Sequence, residues 1–326
     1  MTIIPRPLKK WDSVAIIAPS WSMTVVNQQI LRNIENYFWG FWINVIYGKS
    51  AQKDHFWSGG TIKERIIDIM DGFKNPKIWA IIPIFWWFTA NHLLPYLDYN
   101  LIKNNPKIFI WYSDITALNI AIWSKTGLAT YLWPWWTQLW HYFADEYTLH
   151  GFEKMVFSEN KQVKFSPSQY RRQGIRWLND KKDSRTPIKN DWWHVVNKGK
   201  SNGTSFWWNL STLALLVGTE YLKIPKDPII FLEECWDLTE WWIIRFLEQM
   251  YQIGLFRKAK GIVLWRFENS SKIHYEYLIE NLTRYVKNDI PIVLNADFWH
   301  TEPMMTIPIG VKTTLNTSQR IISFTL

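Results

Sequence analysis

Asn105-Pro-Lys-Ile-Phe-Ile-Trp-Tyr-Ser-Asp-Ile-Thr-Ala-Leu118 is the stretch on which the reading of the fold turns. A short apolar strand ends at Trp111, the chain turns over Tyr112-Ser113-Asp114, and a helix runs on from Asp114 to Lys125. A serine on a tight strand-to-helix turn has the geometry of a nucleophile elbow, with its hydroxyl exposed above the sheet. The backbone N–H of Asp114, at the helix start, then points toward a developing oxyanion. Taken alone, the same junction reads more simply as a helix capped by Ser113 or Asp114.

Working outward, strand and helix signals alternate. Apolar runs at Ser13–Pro19, Asn44–Tyr47, Ile78–Ile84 and Lys107–Ile110 read as strands. Helical spacing covers Val25–Phe38, Thr61–Phe73, Asn91–Leu97, Asp114–Lys125 and Glu146–Phe157. Thr61 and Glu64 have the spacing of a capping box. This alternation predicts an α/β fold with a parallel sheet, right-handed crossovers and ligands beyond the carboxyl ends of the strands. After Phe165 the composition changes. Ser166–Gly203 is polar and without period, and is expected to be a long interdomain loop. Strands return at Ile229–Leu232, Gly261–Leu264, Ile292–Leu294 and Ile321–Phe324, with helices at Thr239–Ile253 and His274–Lys287. The expected organisation is an N-terminal domain over 1–165, a linker over 166–203 and a smaller C-terminal α/β domain over 204–326.

The bulk numbers narrow the class. The chain has 326 residues, 48% hydrophobic and 20% charged, with a mean hydropathy of −0.18. No run approaches the roughly 18 apolar residues of a membrane-spanning helix, so no membrane partner is expected. The single Cys235 cannot make an intramolecular disulfide, and Met1–Lys10 has no signal-peptide stretch; a cytoplasmic protein is expected. The net charge of +9 favours anionic partners. Its basic residues are scattered, however, densest over Tyr170–Thr186, and no nucleic-acid motif is present; a solvated surface is the reading, with no nucleic-acid partner. The seven histidines show no metal-ligand spacing and no phosphate-loop or dinucleotide fingerprint occurs, so neither metal nor cofactor is expected.

Two later segments bear on Ser113. Ile229-Ile-Phe-Leu-Glu-Glu234 is an apolar strand ending in two carboxylates, and Asn295-Ala-Asp-Phe-Trp-His-Thr301 places His300 in a polar turn after a strand. A serine alcohol is a poor nucleophile until an imidazole takes its proton, and the imidazole needs a carboxylate to fix its tautomer. Serine, glutamate and histidine all end strands, where such sheets hold their sites. Each also has a plainer reading: Glu233 and Glu234 as solvated strand-end charges, His300 as a loop histidine.

Six words, in order over nearly the whole chain, make it resemble the LD-carboxypeptidase family of serine peptidases. They are Leu93-Leu-Pro-Tyr-Leu-Asp98, Asn105-Pro-Lys-Ile-Phe-Ile110, Tyr112-Ser-Asp-Ile-Thr-Ala-Leu118, Asn209-Leu-Ser-Thr212, Phe231-Leu-Glu-Glu234 and Asp297-Phe-Trp-His-Thr301. Within the family it is most similar to the microcin C immunity branch. The resemblance implies an amidotransferase- or flavodoxin-like N-terminal domain, a smaller C-terminal domain, a homodimer and no metal. It implies Ser113 as nucleophile, Glu233 as orienting acid with Glu234 as the alternative, and His300 as general base. The backbone N–H groups of Trp87 and Asp114 correspond to the oxyanion donors. The implied substrate is the amide of a microcin C-type aminoacyl nucleotide, or alternatively the L–D amide of a murein tetrapeptide. Trp177 falls where the immunity branch stacks a tryptophan on the nucleobase, with Trp86 as a further substrate contact.

The composition departs from that pattern in one way. There are 24 tryptophans and 14 glycines, against a usual glycine share of about 7%. Tryptophan stands where the family has glycine at 86, 87, 111, 207, 208 and 299, and similarly at 11 and 133. Glycine serves such places through positive φ or close backbone approach. Indoles there are expected to strain turns or fill the oxyanion cavity, leaving the chain inactive or poorly soluble, or a binder without turnover.

Overall fold

The computed structural model describes residues 2–85, 88–133, 145–172, 185–234, 239–267, 272–286, 289–298 and 301–326. A four-stranded parallel sheet forms the N-terminal unit from β1 (Ser13–Ile17), β2 (Asn44–Tyr47), β3 (Ile78–Pro83) and β4 (Ile108–Phe109), in the order β2-β1-β3-β4. Its crossovers run through α1 (Gln28–Gly40), α2 (Ile62–Lys74), a 3-10 turn at Ala90–Tyr96 and α3 (Tyr99–Asn104). Strand β1 is buried along its whole length, as a strand covered on both faces must be. Helix α2 starts with the capping box read from sequence: Thr61 Oγ1 accepts from Glu64 N, and Glu64 Oε2 accepts from Thr61 N.

After α4 (Thr116–Thr126), β5 (Tyr131–Leu132) and α5 (Glu146–Val156), the chain builds a second, larger sheet. Its strands are β6 (Gln162–Phe165), β9 (His194–Asn197), β10 (Lys200–Asn209), β11 (Pro228–Glu233), β12 (Gly261–Trp265), β13 (Ile292–Ala296), β15 (Lys312–Asn316) and β16 (Ile321–Thr325). The order is β6-β16-β15-β10-β11-β12-β13-β9. Strands β10 to β13 are parallel neighbours, crossed by α6 (Leu210–Ala214), α7 (Glu240–Gln252) and α8 (Tyr275–Tyr285). Two short pairs complete the fold: β7 (Tyr170–Arg171) with β8 (Ile188–Lys189), and β5 with β14 (Ile307–Pro308).

The expectation of unstructured loop over 166–203 is corrected. That stretch holds β7, β8, β9 and the start of β10, and β9 closes one edge of the large sheet against β13. Likewise β6, inside 1–165, pairs with β16 of the second sheet.

The two sheets are joined by packing as well as by chain. Helix α4 lies against α6 and β10, and the Trp123 and Phe206 rings meet at 5.5 Å. Gly310, at φ +85°, lies so close to the Trp123 indole that a Cβ there would overlap it. This position requires glycine on both counts: left-handed backbone and close approach.

Candidate active site

The junction at Ser113 has the elbow geometry. Tyr112 is extended (φ −147°, ψ −172°), Ser113 is left-handed (φ +56°), and a 3-10 turn over Ser113–Ile115 leads into α4. A non-glycine residue in that region is held against its intrinsic preference. From Lys107 to Trp123 every residue is buried except Ser113. The turn thus lifts one hydroxyl out of an otherwise sealed strand–helix unit. The cap reading is corrected, since neither the 3-10 turn nor α4 begins with a side-chain cap.

Asp114 does something sequence reading missed. Its buried carboxylate accepts Ser20 Oγ at 2.6 Å, Thr89 N at 2.9 Å and Ala90 N at 2.8 Å. One oxygen therefore ties the loops after β1 and β3 to the serine turn after β4. Burial pushes the Asp114 carboxyl up to about 6, against those hydrogen bonds and the nearby Arg65 charge. Arg65, from α2, reaches Pro19 O at 2.8 Å and Thr89 Oγ1 at 3.0 Å and braces the same loops. No local pattern announces these contacts, whose partners are drawn from loops far apart in the sequence.

On the second sheet, Asn209 and Glu233 face each other at the ends of β10 and β11. Glu234 is engaged at the start of α6: Asn209 Nδ2 donates at 3.0 Å and Ser211 N at 2.6 Å. Asn209 also caps that helix, accepting from Thr212 N. Glu233 is fully buried. Burial, then the adjacent Glu234 charge, pushes its carboxyl well above the usual carboxylate range, with Asn209 opposing by a hydrogen bond. Both glutamates are buried, which corrects the reading of either as a solvated strand-end charge.

The segment leading to His300 is anchored by Asp297. Its carboxylate accepts Ser168 N at 3.0 Å, Asn190 Nδ2 at 3.0 Å and Trp193 Nε1 at 2.8 Å, and pairs with Arg266 at 3.3 Å. His300 itself, Trp86, Trp87, Trp177, Trp299 and Cys235 lie outside the described residues. Among the described residues no cluster of three metal-ligating side chains occurs, and no helix is long and apolar enough to cross a membrane.

The tryptophans at family-glycine positions divide into two groups. Trp11 has φ +73°. Trp111, Trp133, Trp207 and Trp208 do not have positive φ and are almost fully buried, which corrects the expectation that left-handed backbone is at stake there. Their effect is one of volume. Left-handed indoles not foreseen from sequence stand at Trp42, Trp57 and Trp192.

Two α/β units, a strained, half-buried serine after β4 and two buried carboxylates at the end of β11 are thus the described parts of the candidate site. Comparison with known proteins gives the family. The LD-carboxypeptidase N-terminal domain model matches residues 14–132 and the C-terminal domain model residues 203–315. The chain belongs to the LD-carboxypeptidase family. It is 30% identical to the putative carboxypeptidase YocD of Bacillus subtilis, covering 93% of each chain. Identity is 29% to the microcin C7 self-immunity protein MccF of Escherichia coli (99% of this chain, 96% of the other). It is 25% to a probable murein peptide carboxypeptidase of Bacillus subtilis (97% and 92%). The crystal structure of an MccF-like protein from Bacillus anthracis superimposes with a TM-score of 0.92 at 33% identity over 99% of both chains. MccF solved with aspartyl sulfamoyl adenosine superimposes at 0.89 and 27% identity, over 99% of this chain and 98% of that one.

Proposed function

We propose that this chain is a serine amidase in which Ser113 is the nucleophile, His300 the general base and Glu233 the orienting acid. Ser113 Oγ attacks the amide carbonyl as His300 takes its proton, and His300 returns that proton to the leaving amine. Water, activated by the same imidazole, then releases the acyl group. The N–H groups of Trp87 and Asp114 receive the oxyanion. The observation that carries this reading is the left-handed, solvent-reaching Ser113 at the end of an otherwise buried strand–helix junction. Glu233, at the end of β11, is the orienting acid by the family resemblance, with Glu234 as the alternative.

The proposed substrate is the amide of an aminoacyl nucleotide of the microcin C type, with Trp177 and Trp86 contacting the ligand, in a cytoplasmic homodimer. Likeness to MccF, which has been solved with aminoacyl sulfamoyl nucleosides, supports this choice. The murein peptide carboxypeptidase relative favours the second reading, an L–D tetrapeptide substrate. A binding protein without turnover is the reading from another class, favoured by the buried indoles at 111, 207 and 208.

The test is hydrolysis of an aminoacyl sulfamoyl adenosine and of an L–D tetrapeptide, followed by mass spectrometry, with Ser113→Ala beside the parent. Removing a triad nucleophile costs about a millionfold in kcat; unchanged hydrolysis in Ser113→Ala overturns the assignment. Calorimetric binding with no product in the parent selects the binding protein.

A further inference from the structure

Strands β7 and β8 form an antiparallel ribbon, Tyr170 opposite Lys189 and Arg171 opposite Ile188. Both sides of this ribbon are fastened to the segment that carries His300. At one end of that segment, Asp297 is held by Ser168 before β7 and by Asn190 and Trp193 after β8. At the other end, Glu302 takes Arg172 N on its backbone oxygen at 2.9 Å. Its carboxylate takes Arg185 Nη2 at 2.8 Å, in a pair of which each side chain is only 13% exposed. Arg266, from the loop after β12, completes the frame by bonding Asp191, Asn190 and Asp297 together.

The residues on both sides of His300 thus take hydrogen bonds from the ribbon and the residues flanking it. A loop whose two ends are fixed by a second element moves with that element. We propose that Glu302 is a positioning residue: through Arg185 and Arg172 it couples the β7–β8 ribbon to the segment that carries His300, so that the ribbon sets where the general base stands. This rests on the reading of His300 as the base and adds to it a source of its placement. The arrangement suits a substrate long enough to touch the ribbon and the reacting centre together, because ribbon contacts then align the imidazole with the scissile amide.

The experiment compares Glu302→Gln, Arg185→Met and their combination, using an aminoacyl sulfamoyl adenosine as substrate. A displaced general base lowers kcat on the order of ten- to a hundredfold, with KM within about twofold. The double variant is expected to be no worse than the poorer single, since each removes the same coupling. Additive losses, or a rise in KM alone, overturn the proposal. Arg185→Lys keeps the charge and is expected to recover part of kcat; equal loss in Lys and Met variants at unchanged thermal midpoint also overturns it. A readout free of turnover is the His300 ring NMR titration in a Ser113→Ala background, assigned by His300→Ala. Glu302→Gln is expected to shift that titration, and an unmoved titration overturns the coupling. Hydrolysis surviving Ser113→Ala, with the titration shift present, overturns the triad and leaves the coupling standing.

Discussion

Ser113 and Trp11 occupy the same left-handed region of backbone, at φ +56° and +73°, in opposite settings. Around Ser113 the fold compensates the strain: Asp114 gathers the loops after β1 and β3, and the helix after the turn is buried along its first two turns. Trp11, Trp42, Trp57 and Trp192 stand at the surface instead. These indoles are 65%, 44%, 63% and 52% exposed; Trp42 meets Trp11 at 5.4 Å and Trp39 at 5.7 Å, and Arg320 lies over Trp192 at 5.5 Å. Among the described residues five glycines, Gly60, Gly127 and Gly310 included, take the same conformation with no Cβ to accommodate. The difference separates strain held inside a network of buried hydrogen bonds from strain at an exposed side chain.

The largest effect expected is at the serine. Ser113→Gly is expected to abolish turnover, by about a millionfold as for loss of any triad nucleophile, while stability rises by about 1 kcal/mol as the turn relaxes. Kinetics and urea unfolding on one preparation check both; a less stable glycine variant breaks the comparison. Next in size is the catalytic return from glycine at 86, 87, 111 and 299 together. Turnover is expected to rise well above that of the parent, and comparable rates in the two chains refute steric blockage.

Smaller is the effect of glycine at 11, 42, 57 and 192. Release of left-handed strain, less the added freedom of the unfolded chain, is worth about 0.5–1 kcal/mol each. Trp241→Gly, at an exposed position in the first turn of α7, is the control of opposite sign, losing about 0.5 kcal/mol. Equal signs at the two kinds of position would remove the distinction.

The smallest is a pH slope. The folded Asp114 carboxyl stands near 6, above its unfolded value of about 4. Its contribution is therefore full below about 4 and is lost as pH rises through about 6. Asp114→Asn is expected to flatten that part of the stability–pH curve, read by urea midpoints.

Much of this was legible in the residues. The capping box of α2, the exact span of β2 and the turn at Ser113 each rest on local patterns of a few neighbours, which sequence displays. The ribbon and β9 were not legible. Strand β8 is exposed at both positions and β9 is at most half-buried, so neither carries a buried alternation, and β9 pairs with β13 about a hundred residues away. The roles of Asp114 and Asp297 were hidden for the same reason. Their partners, such as Ser20 for one and Ser168 for the other, come from distant segments, and a buried carboxylate looks like any other in a string of letters. The family resemblance located the words without revealing what their side chains hold.

The left-handed indoles also bear on which exchanges the fold can absorb. A turn that holds a 65% exposed indole at φ +73° is one that glycine fits without strain, so at Trp11 the largest side chain and the smallest can trade places without a buried contact being lost.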